Sequence, residues 1–98
     1  MTARIIPMPV SEERATVRSV VQDVSRISGV PVTDIYGRVP RGPAARARQA
    51  AMYLARVKTG KSYPQIGRVF GRHHTTVMDA VRAVEARPHL YPIGTPNE

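Results

Sequence analysis

The stretch from Ser62 to Ala86, SYPQIGRVFGRHHTTVMDAVRAVEA, limits the fold more than any other part of the chain. It spells two short helices with almost nothing between them. Ser62 and Gln65 are spaced for a capping box, in which the serine takes a backbone N–H three residues on and the glutamine reaches back. Pro64 is tolerated in a first helical turn, where its missing N–H has no partner to lose. Ile66, Val69 and Phe70 then recur at helical spacing and are expected to face inward, and Gly71 supplies a stop. A second helix is expected from about His73 to Ala86, burying Val77, Ala80, Val81 and Val84, with Pro88 ending it. Two such helices joined by a tight glycine-containing turn make a helix-turn-helix.

Further helices are expected upstream. Ser11 is placed to cap one, with Glu12 and Glu13 in its first turn, where the positive end of the helix favours acids. Its buried stripe is expected to be Val17, Val20, Val21, Val24 and Ile27, and Gly29 its stop. Pro31–Tyr36 reads as one helical turn led by Val32 or Thr33, and VPRGP as a basic loop. A longer helix should run from near Pro43 to about Lys58 and end at Thr59-Gly60. Its stripe of Ala47, Ala50, Ala51, Leu54 and Val57 is mostly small, so that a neighbouring helix can approach closely. No strand alternation and no internal repeat occur. The expectation is an all-α domain of four to five helices over residues 11–87, with a flexible arm at 1–10 and a loose tail at 88–98.

Charge narrows the function. In 98 residues, 15 Lys and Arg oppose 7 Asp and Glu, for a formal charge of +8. A balance of that kind favours polyanionic partners. Its distribution is uneven as well. Arg38, Arg41, Arg46, Arg48, Arg56, Lys58, Lys61, Arg68 and Arg72 all fall between Asp34 and Asp79, and no acid lies among them. A solvated face normally mixes both signs, so this block reads as an electrostatic footprint. The chain has no cysteine, which removes disulfides, thiolate zinc sites and cysteine nucleophiles. No apolar run approaches a membrane span, and Pro7 and Pro9 break the apolar start, so a cytoplasmic, nucleoid-associated protein is expected.

Within the block lies GRHHTTV. In a helix-turn-helix the second helix enters the major groove N-terminus first, which would present Arg72, His73, His74, Thr75 and Thr76. Thr and His are mediocre helix formers, but orphan N–H groups at a helix start attract phosphates, and a threonine methyl can pack on a thymine methyl. The duller alternative is that Thr75 or Thr76 merely caps the helix. A metal site at His73 and His74 is disfavoured, because neighbours on a helix point about 100° apart and the third histidine, His89, is distant. A catalytic pair lacks a positioned nucleophile or carboxylate. Ala55–Ser62 matches a relaxed nucleotide-loop pattern, but it begins inside an alanine-rich helix and Ala55 replaces the first glycine. Tyr53 and Tyr63 are read as amphipathic surface tyrosines rather than stacking platforms for single strands. Neither a cofactor nor enzymatic activity is expected.

RARQAAMYLARVKTGKSYPQIGRVFGRHHTTVMDAVRAVE resembles the C-terminal DNA-binding domain (domain IV) of the bacterial replication initiator DnaA, a Trp-repressor-like helical fold. The signature IG-x-x-FG…R-x-HTTV-x-x-A carries most of the likeness, which extends over about Ser11 to Ala86. The resemblance implies double-stranded DNA as partner, with His73, His74 and Thr75 in the positions of the family's base-reading Asp-His-Thr run. It implies a phosphate contact for Thr76 and a minor-groove contact for Arg48. Arg46 and Lys61 would lie beside the backbone, and Arg41, Arg68 and Arg72 are assigned to phosphates with them. Two departures stand out. The turn is one residue shorter than the family's Phe-Gly-Gly-Arg, and His73 replaces the family's aspartate. Full initiators carry an ATPase domain, for which 98 residues have no room. A stand-alone transcriptional regulator, monomeric by default and carried by a phage or other mobile element, is therefore expected. The alternatives are a competitor at initiator sites, or an adaptor that recruits RNA polymerase or another regulator through residues 1–10 or 88–98.

Overall fold

Four valines on one side of a helix begin the core. The computed structural model describes residues 15–93. These residues form α1 (Val17–Ser28), α2 (Val32–Ile35), α3 (Gly42–Thr59), α4 (Tyr63–Phe70) and α5 (His74–Ala86). A 3-10 turn at Pro88–Leu90 follows, and there is no strand among the described residues. The fold is all-α, as expected.

In α1, Val17, Val20, Val21 and Val24 are at most 3% exposed. Thr16 caps this helix through a reciprocal pair: the Ser19 N–H donates to the Thr16 hydroxyl at 3.0 Å, and the Thr16 N–H to the Ser19 hydroxyl at 2.9 Å. The expected cap at Ser11, with Glu12 and Glu13, lies outside the described residues, as do the arm at 1–10 and residues 94–98. Gly29, at φ 78°, ends the helix, its N–H donating to the Ser25 carbonyl.

Helix α3 packs against every other α-helix. Its inward face is Ala45, Ala47, Ala50, Ala51, Met52, Leu54 and Ala55. Three residues expected inside are instead exposed: Ile27 at 49%, Val57 at 60% and Val69 at 47%. They share a cause. Each lies in the last turn of its helix, where the backbone is leaving the core.

The capping box of α4 forms as the sequence implies. The Gln65 N–H donates to the Ser62 hydroxyl at 3.2 Å, and the Ser62 N–H to Gln65 Oε1 at 2.9 Å. At its other end, the N–H of Arg72 donates to the Gly67 carbonyl at 2.8 Å and that of Gly71 to the Arg68 carbonyl at 3.3 Å. This is the paired closure of a Schellman turn, with Gly71 left-handed at φ 68°. The closure brings the Arg72 carbonyl down onto Gly67, where a Cβ would stand 2.5 Å from its oxygen. Gly67 therefore permits the turn to be tight.

Beyond α5 the structure differs from the expected loose tail. Tyr91 and Ile93 pack against the core after the 3-10 turn. Between Arg87 and these two residues, Pro88, His89 and Leu90 are exposed.

Gly67→Ala should lower unfolding free energy by about 1–3 kcal/mol, because the new methyl meets backbone rather than a flexible side chain. Val69→Ala, three residues from the end of the same turn, should stay within about 0.5 kcal/mol of the parent. Urea denaturation of both variants checks this; equal midpoints would remove the close-approach argument.

Candidate nucleic-acid interface

A four-residue helix cannot hold itself together, since a single turn gains too few hydrogen bonds to offset its nucleation cost. Helix α2 and the loop after it are held from outside by two arginines. From α3, Arg48 donates through Nε to the Ile35 carbonyl at 2.8 Å, through Nη2 to Asp34 at 3.1 Å, and through Nη1 to Val39 at 2.8 Å. From the turn before α5, Arg72 donates through Nη1 to the carbonyls of Tyr36 at 3.2 Å and Phe70 at 2.8 Å. Its Nη2 donates to the Gly37 carbonyl. Within 34–39, Arg38 alone has a carbonyl that neither guanidinium takes. Burial, and then Arg72, push the Arg48 guanidinium below its ordinary pKa; burial, and then Arg38, do the same to Arg72. The Tyr36 and Phe70 rings, 5.3 Å apart, add an apolar tie between loop and α4.

This geometry gives two of the expected site residues other partners. Arg48 was expected in the minor groove, but it is 7% exposed and all three of its bonds go to backbone oxygens. Arg72 was expected on a phosphate and is half-buried on carbonyls. To reach DNA, either guanidinium would first have to give up these part-buried backbone acceptors. One signal was legible for Arg48: it shares a helical face with the buried Ala45, Met52 and Ala55. None was local for Arg72.

His73, His74, Thr75 and Thr76 are all exposed at the start of α5. His73 caps the helix, so the cap comes from neither threonine. Its Nδ1 accepts the Thr75 N–H at 3.3 Å and lies 2.9 Å from the Thr75 hydroxyl. A backbone N–H can only donate, so Nδ1 accepts and the proton of the neutral ring sits on Nε2. The His74 ring lies beside it, centroids 4.3 Å apart.

Arg41, Arg46, Lys61 and Arg68 are exposed, as is Arg38, which the sequence placed in the basic block without a role. A cleft of about 160 Å³ lies between the loop, α3 and α5, with Pro40, Gln49 and Thr76 among its lining residues. The loop and the first turn of α5 are therefore neighbours.

The competing chemistries find little support. Ala55–Lys58 of the nucleotide-loop pattern is helical, and Arg56 bonds the Lys61 carbonyl at 2.7 Å. The same guanidinium lies 4.6 Å over one face of the Tyr63 ring. Among the described residues no three His, Asp or Glu side chains are grouped to hold a metal, and no helix is long and apolar enough to cross a membrane.

Comparison with known proteins identifies the family. A family model described as "Bacterial dnaA protein helix-turn-helix" matches residues 17–84. The chromosomal replication initiator protein DnaA of Ruegeria sp. (strain TM1040) is 45% identical over 76 residues, which cover 76% of this chain and 16% of that protein. Its counterpart in Herminiimonas arsenicoxydans is 40% identical over 80 residues, 81% of this chain and 17% of the relative. That of Burkholderia multivorans (strain ATCC 17616 / 249) is 40% identical over 78 residues, covering 79% and 15%. The chain thus spans 15–17% of the length of these relatives. With the helix-turn-helix, its close turn and the exposed HHTT cluster in place, the chain belongs to the bacterial DnaA helix-turn-helix family and is a DNA-binding domain of that type.

Proposed function

We propose that this chain is a sequence-specific regulator of transcription that binds double-stranded DNA. The first turn of α5 reads the major groove, and the loop carrying Arg38 and Arg41 reaches the adjacent minor groove. The observation that carries this reading is the pairing of exposed His73, His74, Thr75 and Thr76 with a neighbouring, acid-free basic loop. His74 and Thr75 are assigned to bases with His73, and Thr76 to a phosphate beside them. Arg46, Lys61 and Arg68 serve as further phosphate contacts on this reading, and Arg48 and Arg72 do not.

His73 supports a target other than the initiator's own. With Nδ1 engaged in the cap, the ring offers Nε2–H, a donor. A donor suits the N7 and O6 acceptors of guanine, whereas an aspartate would accept from the cytosine amino group. A changed target favours a regulator over an initiator. Mapping bound DNA across the genome, alongside transcript levels with and without the protein, tests that role; occupancy confined to initiator sites would count against it.

His73→Asn and His73→Asp separate base reading from capping, because both substitutes cap helices well. In selection from a random duplex library, the parent and His73→Asn should favour a purine at one position, and His73→Asp should move that position to cytosine. Discrimination there should be about 1–3 kcal/mol. The same base selected by all three proteins would leave His73 with capping alone.

Salt dependence tests the electrostatic part. If Arg38, Arg41, Arg46, Lys61 and Arg68 each neutralise a phosphate, log affinity should fall against log salt with a slope of about −4.5. A slope near zero would refute it.

A further inference from the structure

Arg72 joins two elements far apart in sequence. Its backbone is closed onto α4 by the bond to the Gly67 carbonyl, and it immediately precedes the capping residue of α5. Its side chain reaches the carbonyls of Tyr36 and Gly37, 36 and 35 residues away. Arg48 grips the same loop from the other side, at Asp34, Ile35 and Val39. Arg38 sits between the two sets of bonds, exposed. The loop is thus pinned on both flanks of its arginine, and one of the pins is the residue just before the cap of α5.

We propose that Arg72, supported by Arg48, is a positioning residue that fixes the register between the Arg38–Arg41 loop and the N-terminus of α5. The two elements then meet the duplex a set number of base pairs apart. This rests on the reading above, in which both touch DNA. The guanidinium suits the task because its planar fork bonds several carbonyls at once and carries no acceptor of its own. A loop released from Arg72 keeps Arg38 and Arg41, so its attraction to any duplex persists. What it loses is pre-organisation: specific binding must then order the loop as it forms.

The test uses the full chain, a duplex selected from a random library, and a random-sequence duplex. Binding of the parent protein comes first; failure to prefer the selected duplex would refute the underlying reading rather than the role of Arg72. Arg72→Gln should then weaken binding to the selected duplex by about tenfold, with affinity for the random duplex and the salt slope unchanged. Arg72→Lys should behave like Arg72→Gln, since an ammonium cannot span the same carbonyls. Inserting one base pair between the positions protected by loop and helix should penalise either variant less than the parent.

A phosphate contact would give the opposite pattern. Arg72→Lys would bind like the parent, and Arg72→Gln would lose about 0.9 from the salt slope. A purely stabilising role would lower the melting temperature and leave the specific-to-random affinity ratio of the folded variants unchanged. Either result overturns the proposal. Should Arg72→Gln fail to fold, the lysine variant decides, because the two accounts differ on it.

Discussion

The other helices lie on α3, and α3 can take them because its buried face is mostly alanine. A methyl lets helix axes come close and loses no rotamer freedom on burial. The volume of the core is supplied instead by what packs there: the valines of α1 and α5, Ile35, Ile66 and Phe70. A larger residue at Ala47, Ala50 or Ala51, each fully buried, would push a partner away. The helix-turn-helix is thus built against a surface that already fixes where α5 can run.

The same helix carries the least ordinary member of the interior. Arg48 is charged, 7% exposed, and bonded to carbonyls rather than to a carboxylate. Neutral acceptors compensate a guanidinium less fully than an anion does, and Arg72 beside it adds repulsion. Two features make the arrangement sustainable. Carbonyls at a helix end run short of backbone donors, and the guanidinium supplies several at once, although the Asp34 carbonyl also accepts the Gly37 N–H at 3.0 Å. Leaving the loop free of acids also preserves its positive field, which a carboxylate in the clamp would offset beside Arg38 and Arg41.

Local chemistry made much of the architecture legible. The Ser62–Gln65 box, the glycine stops at Gly29, Gly60 and Gly71, and the stripe of α5 all act within four residues of themselves, and all form. Periodicity failed at Ile27, Val57 and Val69 because it records which side a residue points to, not whether a neighbour extends that far. The site divides in the same way. His73, His74, Thr75 and Thr76 are exposed where a helix start places them, whereas Arg72 looked like any other member of the basic block and Arg48 was marked only by its helical face.

The all-helical fold, the tight turn and the residues that open α5 were legible in the chain itself, because caps, stops and helical phase are set by near neighbours. Which arginines hold the protein together came from tertiary contacts alone. The loop carbonyls that claim Arg48 and Arg72 lie 9 to 36 residues away, and a guanidinium's role is set by the acceptors that folding brings within its reach.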